Sequence, residues 1–436
     1  MSEEIDNMSW NCRDIYKVRE QRQPVNKKKK KLGSEKLRSE IEPWLTALSQ
    51  SEHLSLLLGS GISSAVHYLA KDEVGAGMAQ IPFSVFQKEI NEAAKKSAGN
   101  AGRGKPNIED QIRVSNEWIR GLIIYISGDA CRSKKVGKCL AKFKKELGDG
   151  LAEFANRVLD CERNIIQSKN SALAAEYLMS FLISFASRSA TRERLNIFTT
   201  NYDRVIEYGA ELAGIRLIDR FVGTVNPVFR SSRVEVDMHY NPPGIRGEPR
   251  YLEGVVQFTK LHGSLDWSTQ DDVIRRYALP YGAEDIGTYL DDGCENLLIY
   301  PNAAKDRETS EFPYVELFRD FAASVCRPNS TVVVYGYSFG DDHINRIIGD
   351  MLTIPSTHLV IIGFDDQGDR IRRFYRKVKR PAQISLLIGK HFGDLKTLVD
   401  NYLPKPAIDR TTIKMADLLK ARGVAGPHDD YKQGMK

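Results

Sequence analysis

The stretch LSLLLGSGISSAV, residues 54–66, places an apolar run directly before two glycines and a helix-forming segment. A continuous apolar run of this length is typical of a parallel strand that is covered on both faces. A strand, a glycine turn and a helix in this order form an anion-binding unit, in which backbone amides at the helix N-terminus meet a phosphate. A tight turn would also explain Gly59 and Gly61, and this stretch considered alone favours that structural interpretation.

Similar apolar runs recur along the second half of the chain, and helical patterns separate several of them. This alternation predicts an α/β fold, a Rossmann-like doubly wound parallel sheet. The predicted strands are LNIFTT (195–200), VVQFTKLHG (255–263), NLLIYP (296–301), TVVVYG (331–336), HLVIIGF (358–364) and ISLLIG (384–389).

The pattern divides the chain into three parts, the second of which contains an insertion. We expect residues 1–36 to form a basic disordered arm, residues 37–402 the nucleotide-binding domain, and residues 403–436 a polar C-terminal tail. Helical periodicity from about 84 to 190 predicts a helical insertion, or a small helical domain, within the α/β core.

Composition and charge indicate a soluble globular protein. The 436 residues are 42% hydrophobic and 28% charged. We expect no membrane association, because no apolar run approaches the roughly 20 residues that span a bilayer. The charged N-terminus lacks a secretory signal, which predicts a cytoplasmic protein. No two of the six cysteines have the CxxC spacing of a compact zinc site, so no metal site is expected.

The net charge of +6 comes largely from one run of five lysines, from Lys27 to Lys31. A solvated, disordered segment is the favoured interpretation. A contact with a nucleic-acid backbone or a partner-docking arm remains an alternative.

Three later strand ends carry polar residues, and ligands in open α/β sheets gather at such ends. After LNIF comes TTNYD (199–203), whose hydrogen-bonding side chains suit a ribose; Thr200 and Asn201 are candidates. The alternative is that Asn201 or Asp203 merely caps the next helix.

The next strand end is LHG (261–263), where His262 has the side chain whose ordinary pKa suits general acid–base catalysis. The last is GYSFGDD (336–342), a second glycine and hydroxyl turn before a helix. A structural histidine, and helix caps at Asp341 and Asp342, are the alternatives.

GSGIS, TTNYD, LHG and GYSFGDD, in this order, resemble the sirtuin family, and most closely the sirtuin-like proteins of bacterial anti-phage defence. GSGIS resembles the family's GAGxS turn, TTNYD its asparagine–aspartate motif, LHG its catalytic histidine motif and GYSFGDDHINRII a late GxSxxD turn. Residues 81–83 (IPF) also resemble a short element of the family. The resemblance covers roughly residues 50–395.

The resemblance implies that NAD is the substrate and that the nicotinamide–ribose bond is broken. It implies that Asn201 holds the ribose and a water, that His262 acts as a base, and that Asp203 orients the nicotinamide end or its loop. The implied NAD-binding residues are, for the pyrophosphate, Gly59, Ser60, Gly61 and Ser63, and, for the adenosine side, Gly336 and Ser338.

The sequence departs from deacetylating sirtuins because no paired CxxC zinc module follows LHG. Deacylation is therefore disfavoured, and hydrolysis of NAD to ADP-ribose and nicotinamide is expected. A deacylase or ADP-ribosyltransferase, and a non-enzymatic module that senses NAD or ADP-ribose, remain alternatives. Because such a hydrolase needs control, we expect a homo-oligomer or a regulatory partner, for which the resemblance suggests a HerA-type ATPase.

Overall fold

The computed structural model describes residues 10, 14–19, 21, 24–26, 34–73, 80–100, 106–127, 130–188, 192–232, 237–240, 250–270, 273–289, 297–299 and 312–404. The strands are β1 (Ile15–Lys17), β2 (Val25–Asn26), β3 (His53–Leu58), β4 (Asn196–Thr199), β5 (Arg216–Ile218), β6 (Phe221–Val222), β7 (Val228–Phe229), β8 (His239–Tyr240), β9 (Arg250–Tyr251), β10 (Val255–Lys260), β11 (Gly263–Gln270), β12 (Val273–Arg276), β13 (Leu297–Ile299), β14 (Ser330–Tyr335), β15 (His358–Gly363) and β16 (Ile384–Ile388). The helices are α1 (Ser34–Ser49), α2 (Ser60–Lys71), α3 (Gln87–Asn100), α4 (Ile108–Ser127), α5 (Ala130–Gln167), α6 (Ser171–Ala186), α7 (Val205–Leu212), α8 (Tyr314–Val325), α9 (Asp342–Met351), α10 (Arg370–Val378), α11 (Lys390–Gly393) and α12 (Leu395–Asn401).

A nine-stranded sheet with the order β2-β1-β16-β15-β14-β3-β4-β10-β5 forms the centre of the fold. The strands from β16 to β5 run parallel, and β1 and β2 add antiparallel pairs at one edge. Successive strands after β3 extend to one side, and those from β14 onward extend to the other, so the strand order reverses between β3 and β14. The predicted doubly wound α/β fold is confirmed.

Helices cover both faces of the sheet because the side chains of its strands alternate between two cores. Leu56 and Leu58 face the core that contains α2, α6 and α7, whereas Leu57 faces the core that contains α8 and α9. All six residues of β3 are buried.

A separate five-stranded sheet has the order β13-β11-β12-β7-β6. The predicted strand at 296–301 contributes β13 to this antiparallel sheet, not to the parallel one.

The predicted helical insertion contains two kinds of helix. Helices α3, α4 and α5 share a core of their own, which includes Phe143 and Phe154 and extends to Tyr202 and Leu265. Helix α6 instead packs in the main core, against α2 and α7. Its residues LMSFLISFA are apolar on most sides, so they suit a helix buried between others. The exact domain limits remain a prediction.

The N-terminal arm is partly ordered, and the prediction of disorder is wrong for Ile15–Lys17 and Val25–Asn26. Tyr16 and Lys17 are almost fully buried, and β1 pairs with β16. The Lys17 ammonium donates hydrogen bonds to the carbonyls of Pro381 and Ile384, which satisfies the buried cation. A strand of three residues that include a lysine is too short to be recognised from sequence periodicity. The lysine run at 27–31 and the tail from residue 405 lie outside the described residues.

In the described ranges, no helix is both long and apolar enough to cross a bilayer.

Candidate active site at the sheet reversal

Two glycine turns contact each other where the strand order reverses, one after β3 and the other after β14. The Gly59 N–H donates to the Tyr335 carbonyl at 3.1 Å, and the Gly61 N–H donates to the Gly336 carbonyl at 3.0 Å. A Cβ added to Gly59 would lie 2.5 Å from the Gly336 oxygen. One added to Gly336, whose φ is +65°, would lie 2.6 Å from the Gly61 Cα. Packing between the two turns is therefore sufficient to require these glycines.

Beside this contact, helix α2 begins at the carboxyl edge of the sheet. Its N-cap is Gly59, which provides no side-chain cap. The dipole of this 12-residue helix directs partial positive charge toward the edge. Ser60 and Ser338 are exposed at the two turns, and Ser63 is half-buried. The arrangement suits an anionic ligand with hydrogen-bonding oxygens.

Asn201 connects the end of β4 to the first turn of α2. Its Nδ2 group donates to the Gly59 carbonyl at 3.1 Å and to Ser63 Oγ at 2.9 Å. The side chain is buried, and its oxygen is the remaining group that it can offer to a ligand. The N-cap of α7 is Arg204, which makes no side-chain cap. Of the two residues considered as caps, Asp203 bonds the start of the helix, because its Oδ1 accepts the Val205 N–H at 3.1 Å, whereas the Asn201 amide nitrogen bonds Gly59 and Ser63.

Asp203 lies in a cluster of charges in which Lys260 is buried and Asp203 and Glu207 are half-buried. Burial raises the pKa of its carboxyl group, although Lys260 and a hydrogen bond from Ser63 favour the charged form. The Lys260 ammonium donates to the Asp203 carbonyl and, at 2.8 Å, to Glu207 Oε1. These contacts hold the TTNYD turn in place. A direct role for Asp203 toward the nicotinamide end remains a prediction.

His262 follows β10 and bonds an acid from the last motif. Its Nε2 lies 3.0 Å from Asp341 Oδ2, and both side chains are buried. The rings of Tyr202 and Phe318 are its aromatic neighbours, with centroids 6.4 and 6.5 Å from that of the imidazole. This environment fixes the orientation of the imidazole ring.

Asp341 has two functions in the structure, of which the sequence indicated one. Its carboxylate caps α9, as Oδ1 accepts the backbone N–H groups of His343 at 2.9 Å and Ile344 at 3.4 Å. Its other oxygen meets His262. Burial opposes ionisation of Asp341, but His262 and the backbone donors outweigh it and hold the pKa below its usual value. A negative carboxylate therefore faces the imidazole. The sequence signal for this role of Asp341 was its position after a glycine turn that follows a strand.

The helical region reaches the same site through two contacts that the sequence did not reveal. Tyr202 Oη donates to Glu109 Oε1 of α4 at 3.4 Å. Glu162 of α5, fully buried, pairs with the Arg204 guanidinium at 2.6 Å and accepts the Arg204 backbone N–H at 2.8 Å. Helices α4 and α5 therefore hold the segment that directly follows Asn201.

The structure thus brings Gly59, Ser63 and Asn201 into direct contact. Thr200 lies half-buried beside them, with its N–H bonded to the Leu58 carbonyl at 3.2 Å. His262 and Asp341 form a second pair. In the parts of the chain that are described, no cluster of three His, Cys, Asp or Glu side chains has the arrangement of a metal site.

Comparison with known protein families finds a match for part of the chain. A family model described as a SIR2-like domain matches residues 195–380. No curated protein matches the chain. The matched segment includes TTNYD, LHG and GYSFGDD and starts after the first glycine turn. This match supports assignment of the segment to the sirtuin-like family, and it suggests an NAD-related activity.

Proposed function

We propose that the protein is an NAD hydrolase, which cleaves the nicotinamide–ribose bond with water and releases nicotinamide and ADP-ribose. The observation that carries the proposal is the pair of buried side chains, Asn201 and His262, at the carboxyl edge beside the sheet reversal. The SIR2-like match to residues 195–380 supports an NAD-utilising enzyme.

The residues at the reversal fit a dinucleotide. The uncapped N-terminus of α2 suits the pyrophosphate. Because Gly59, Gly61 and Gly336 lack side chains, the backbones of the two turns can lie close together there. The exposed hydroxyls of Ser60 and Ser338 are suitable donors to its oxygens, and Ser338 and Gly336 would lie on the adenosine side. Thr200 and the Asn201 side-chain oxygen would meet the ribose.

The proposed chemistry assigns a separate task to each side chain. Loss of nicotinamide leaves positive charge on the ribose, so the enzyme must position the sugar and a nucleophilic water. Asn201 would hold both, because its amide nitrogen is already fixed by Gly59 and Ser63. His262 would accept a proton from the water or from a ribose hydroxyl. Asp341 would hold the imidazole in the required orientation, as a carboxylate does for a catalytic histidine elsewhere.

Water is the proposed acceptor for two reasons. The sequence lacks the paired CxxC motifs of deacetylating sirtuins, and helices α4 and α5 contact Tyr202 and Arg204 next to the site. As part of the same proposal, the protein acts in the cytoplasm as an anti-phage effector that depletes NAD. Its activity would be controlled by homo-oligomer formation or by a partner such as a HerA-type ATPase.

The test is incubation of the purified chain with NAD, with nicotinamide and ADP-ribose quantified by chromatography. Wild type should release both in equal amounts, and Asn201→Ala and His262→Ala should lose this activity. His239→Ala, on the separate two-stranded sheet, is the matched control and should retain it. Thermal unfolding of each variant distinguishes loss of catalysis from loss of fold.

Equal activity in wild type and His262→Ala would contradict the proposal. Consumption of an acyl-peptide or protein acceptor together with NAD would instead support a transferase. Thermal stabilisation by NAD without any nicotinamide release would support a sensing module.

A further inference from the structure

Helix α10 carries a dense group of positive charges outside the candidate site. Seven of the eleven residues from Arg370 to Arg380 are lysine or arginine. The nearest preceding acids are Asp365, Asp366 and Asp369, and Asp366 is buried under the helix, where it accepts the N–H groups of Ile371 and Arg372. Cations therefore outnumber carboxylates in this segment.

One face of α10 is packed tightly against the protein. Ile371 and Phe374 are buried. The Phe374 ring lies 4.8 Å from that of Phe339, and the Tyr375 ring lies 5.7 Å from that of Trp10. These contacts fix the rotation of the helix, so the opposite face is presented in a defined orientation.

The opposite face carries a row of three exposed cations, Arg373, Arg376 and Lys377, and the exposed Arg380 follows two residues after the helix ends; we call these four residues the α10 cationic face. The i, i+3, i+4 spacing of Arg373, Arg376 and Lys377 places them along one side of the helix, over about 6 Å, and Arg380 lies beyond Lys379, whose left-handed conformation ends the helix. Beside the row, Gly368, Asp369, Arg372, Arg373 and Arg376 line an open depression of about 450 Å³. The Arg373 guanidinium is anchored at its rim by the Gly368 carbonyl at 3.0 Å.

We propose that the α10 cationic face binds the phosphodiester backbone of a nucleic acid, without base recognition. Arginine binds phosphate through two parallel hydrogen bonds, and arginines supply three of the four cations. A group of four neighbouring cations suits a polyanion that carries one charge per about 1.7 Å of duplex axis.

The composition of the face disfavours a protein partner. Protein interfaces are built around aromatic and apolar residues and are depleted of charge at their centre. Every exposed side chain of α10 is a cation, and its apolar residues are buried or half-buried. Nucleic-acid interfaces are typically more polar and more positive. This inference does not depend on the proposed hydrolase activity.

The test is fluorescence anisotropy with the purified full chain and two labelled probes, a DNA duplex of about 30 base pairs and a single-stranded RNA of equal length. Wild type should bind at least one probe, with a dissociation constant of about 10⁻⁴–10⁻⁶ M at physiological salt. Arg373→Gln/Arg376→Gln/Lys377→Gln should weaken binding at least about tenfold. It should also reduce the slope of log K against log salt by about 3, or about 1 for each lost contact.

The matched control removes three exposed lysines from α5: Lys138→Gln/Lys144→Gln/Lys145→Gln. It should leave binding and the salt slope close to those of wild type. An independent measurement on the wild-type chain, ultraviolet cross-linking followed by peptide mapping, should locate the contact within residues 370–380. This measurement decides the question even if the α10 variant fails to fold.

Four results would overturn the proposal. The first is absence of binding to both probes at about 50 mM salt, where such contacts are strong. The second is equal loss of binding in the α10 and α5 variants. The third is cross-links confined to other segments such as residues 27–31. The fourth is capture of an acidic peptide by the α10 cationic face in preference to either nucleic acid.

Discussion

His262 and Asp341 lie 79 residues apart in the sequence, and their side chains meet at 3.0 Å beside the reversal of the sheet. One residue follows β10, on one side of β3, and the other precedes α9, on the opposite side. The contact therefore joins the two halves of the doubly wound sheet through a pair of side chains at its carboxyl edge.

This contact predicts a specific effect of Asp341→Asn. Asparagine can still cap α9, so the thermal midpoint should change little. The amide no longer presents a negative charge to His262, so nicotinamide release should lose part of the roughly 10²–10⁴-fold that acid–base catalysis contributes. Steady-state kinetics should show a lower kcat with little change in KM for NAD.

Asp342→Asn is the matched control, because Asp342 is exposed and lies one residue further along the chain. It should retain wild-type kcat. Comparable losses in both variants, or a rise in KM alone for Asp341→Asn, would contradict a role for Asp341 in orienting His262.

The contact between the glycine turns predicts that Gly336→Ala destabilises the protein even without NAD. The new Cβ would meet backbone atoms of Gly61, and the φ of +65° is unfavourable for alanine. We expect a loss of more than about 2 kcal/mol in the free energy of unfolding, from strain and overpacking together. Urea unfolding measures it.

Gly349→Ala provides the comparison, because Gly349 lies within α9 and a Cβ there would meet nothing within 4 Å. This variant should gain up to about 1 kcal/mol from helix propensity. If Gly336→Ala is as stable as wild type, the turns must be able to separate, and a ligand alone would account for the glycines.

The buried pair of Glu162 and Arg204 predicts a large cost for Glu162→Gln. The guanidinium would lose its charged partner while remaining buried, which typically costs about 3–5 kcal/mol. Asp160→Asn breaks the ion pair between Asp160 and Arg163 on the same helix, in which the Asp160 side chain is 54% exposed. It should cost less than about 1 kcal/mol. Urea unfolding of the two variants should therefore give clearly different midpoints, and similar midpoints would contradict a stabilising role for the buried pair.

His358 predicts part of the pH dependence of stability. Burial, together with nearby Lys17, lowers its pKa to about 4. Ser385 Oγ accepts the Trp44 indole N–H and lies 2.9 Å from His358 Nε2, an arrangement that suits neutral imidazole. Below about pH 6.5 this histidine binds a proton in the unfolded chain but, down to about pH 4, not in the folded chain. The free energy of unfolding should therefore decrease as the pH is lowered, by about 2 kcal/mol at pH 5.

His358→Gln removes this titrating group, so its stability should decline less steeply between pH 7 and pH 5. Chemical unfolding at several pH values measures the difference. Parallel declines in wild type and variant would show that other groups control the acid limb.

The sequence was sufficient to predict the doubly wound sheet, because β3, β14 and β15 are continuous apolar runs with helical patterns between them. It also placed Asn201 and His262 at strand ends, where parallel topology brings such residues to one edge. It could not predict which side chains meet there. The bond between His262 and Asp341 depends on the angle between elements from two halves of the sheet, and no local pattern encodes that angle.

Two other features were missed for different physical reasons. The packing of Gly61 on Gly336 is a backbone contact between distant turns, and either glycine alone resembles an ordinary turn residue. Helix α6 has helical periodicity like its neighbours in sequence, so its place in the main core became clear only from its contacts with α2 and α7.

The pairing of β1 with β16 has a consequence for the solubility of shortened chains. All five residues of β16, ISLLI, are buried, and four of them are β-branched or leucine without any charge. If the first 26 residues were removed, the outer edge of this strand would lose its partner. An open, uncharged apolar edge is a template for pairing with other chains, so such a fragment would tend to aggregate. The short N-terminal strands thus protect the native sheet from uncontrolled self-association.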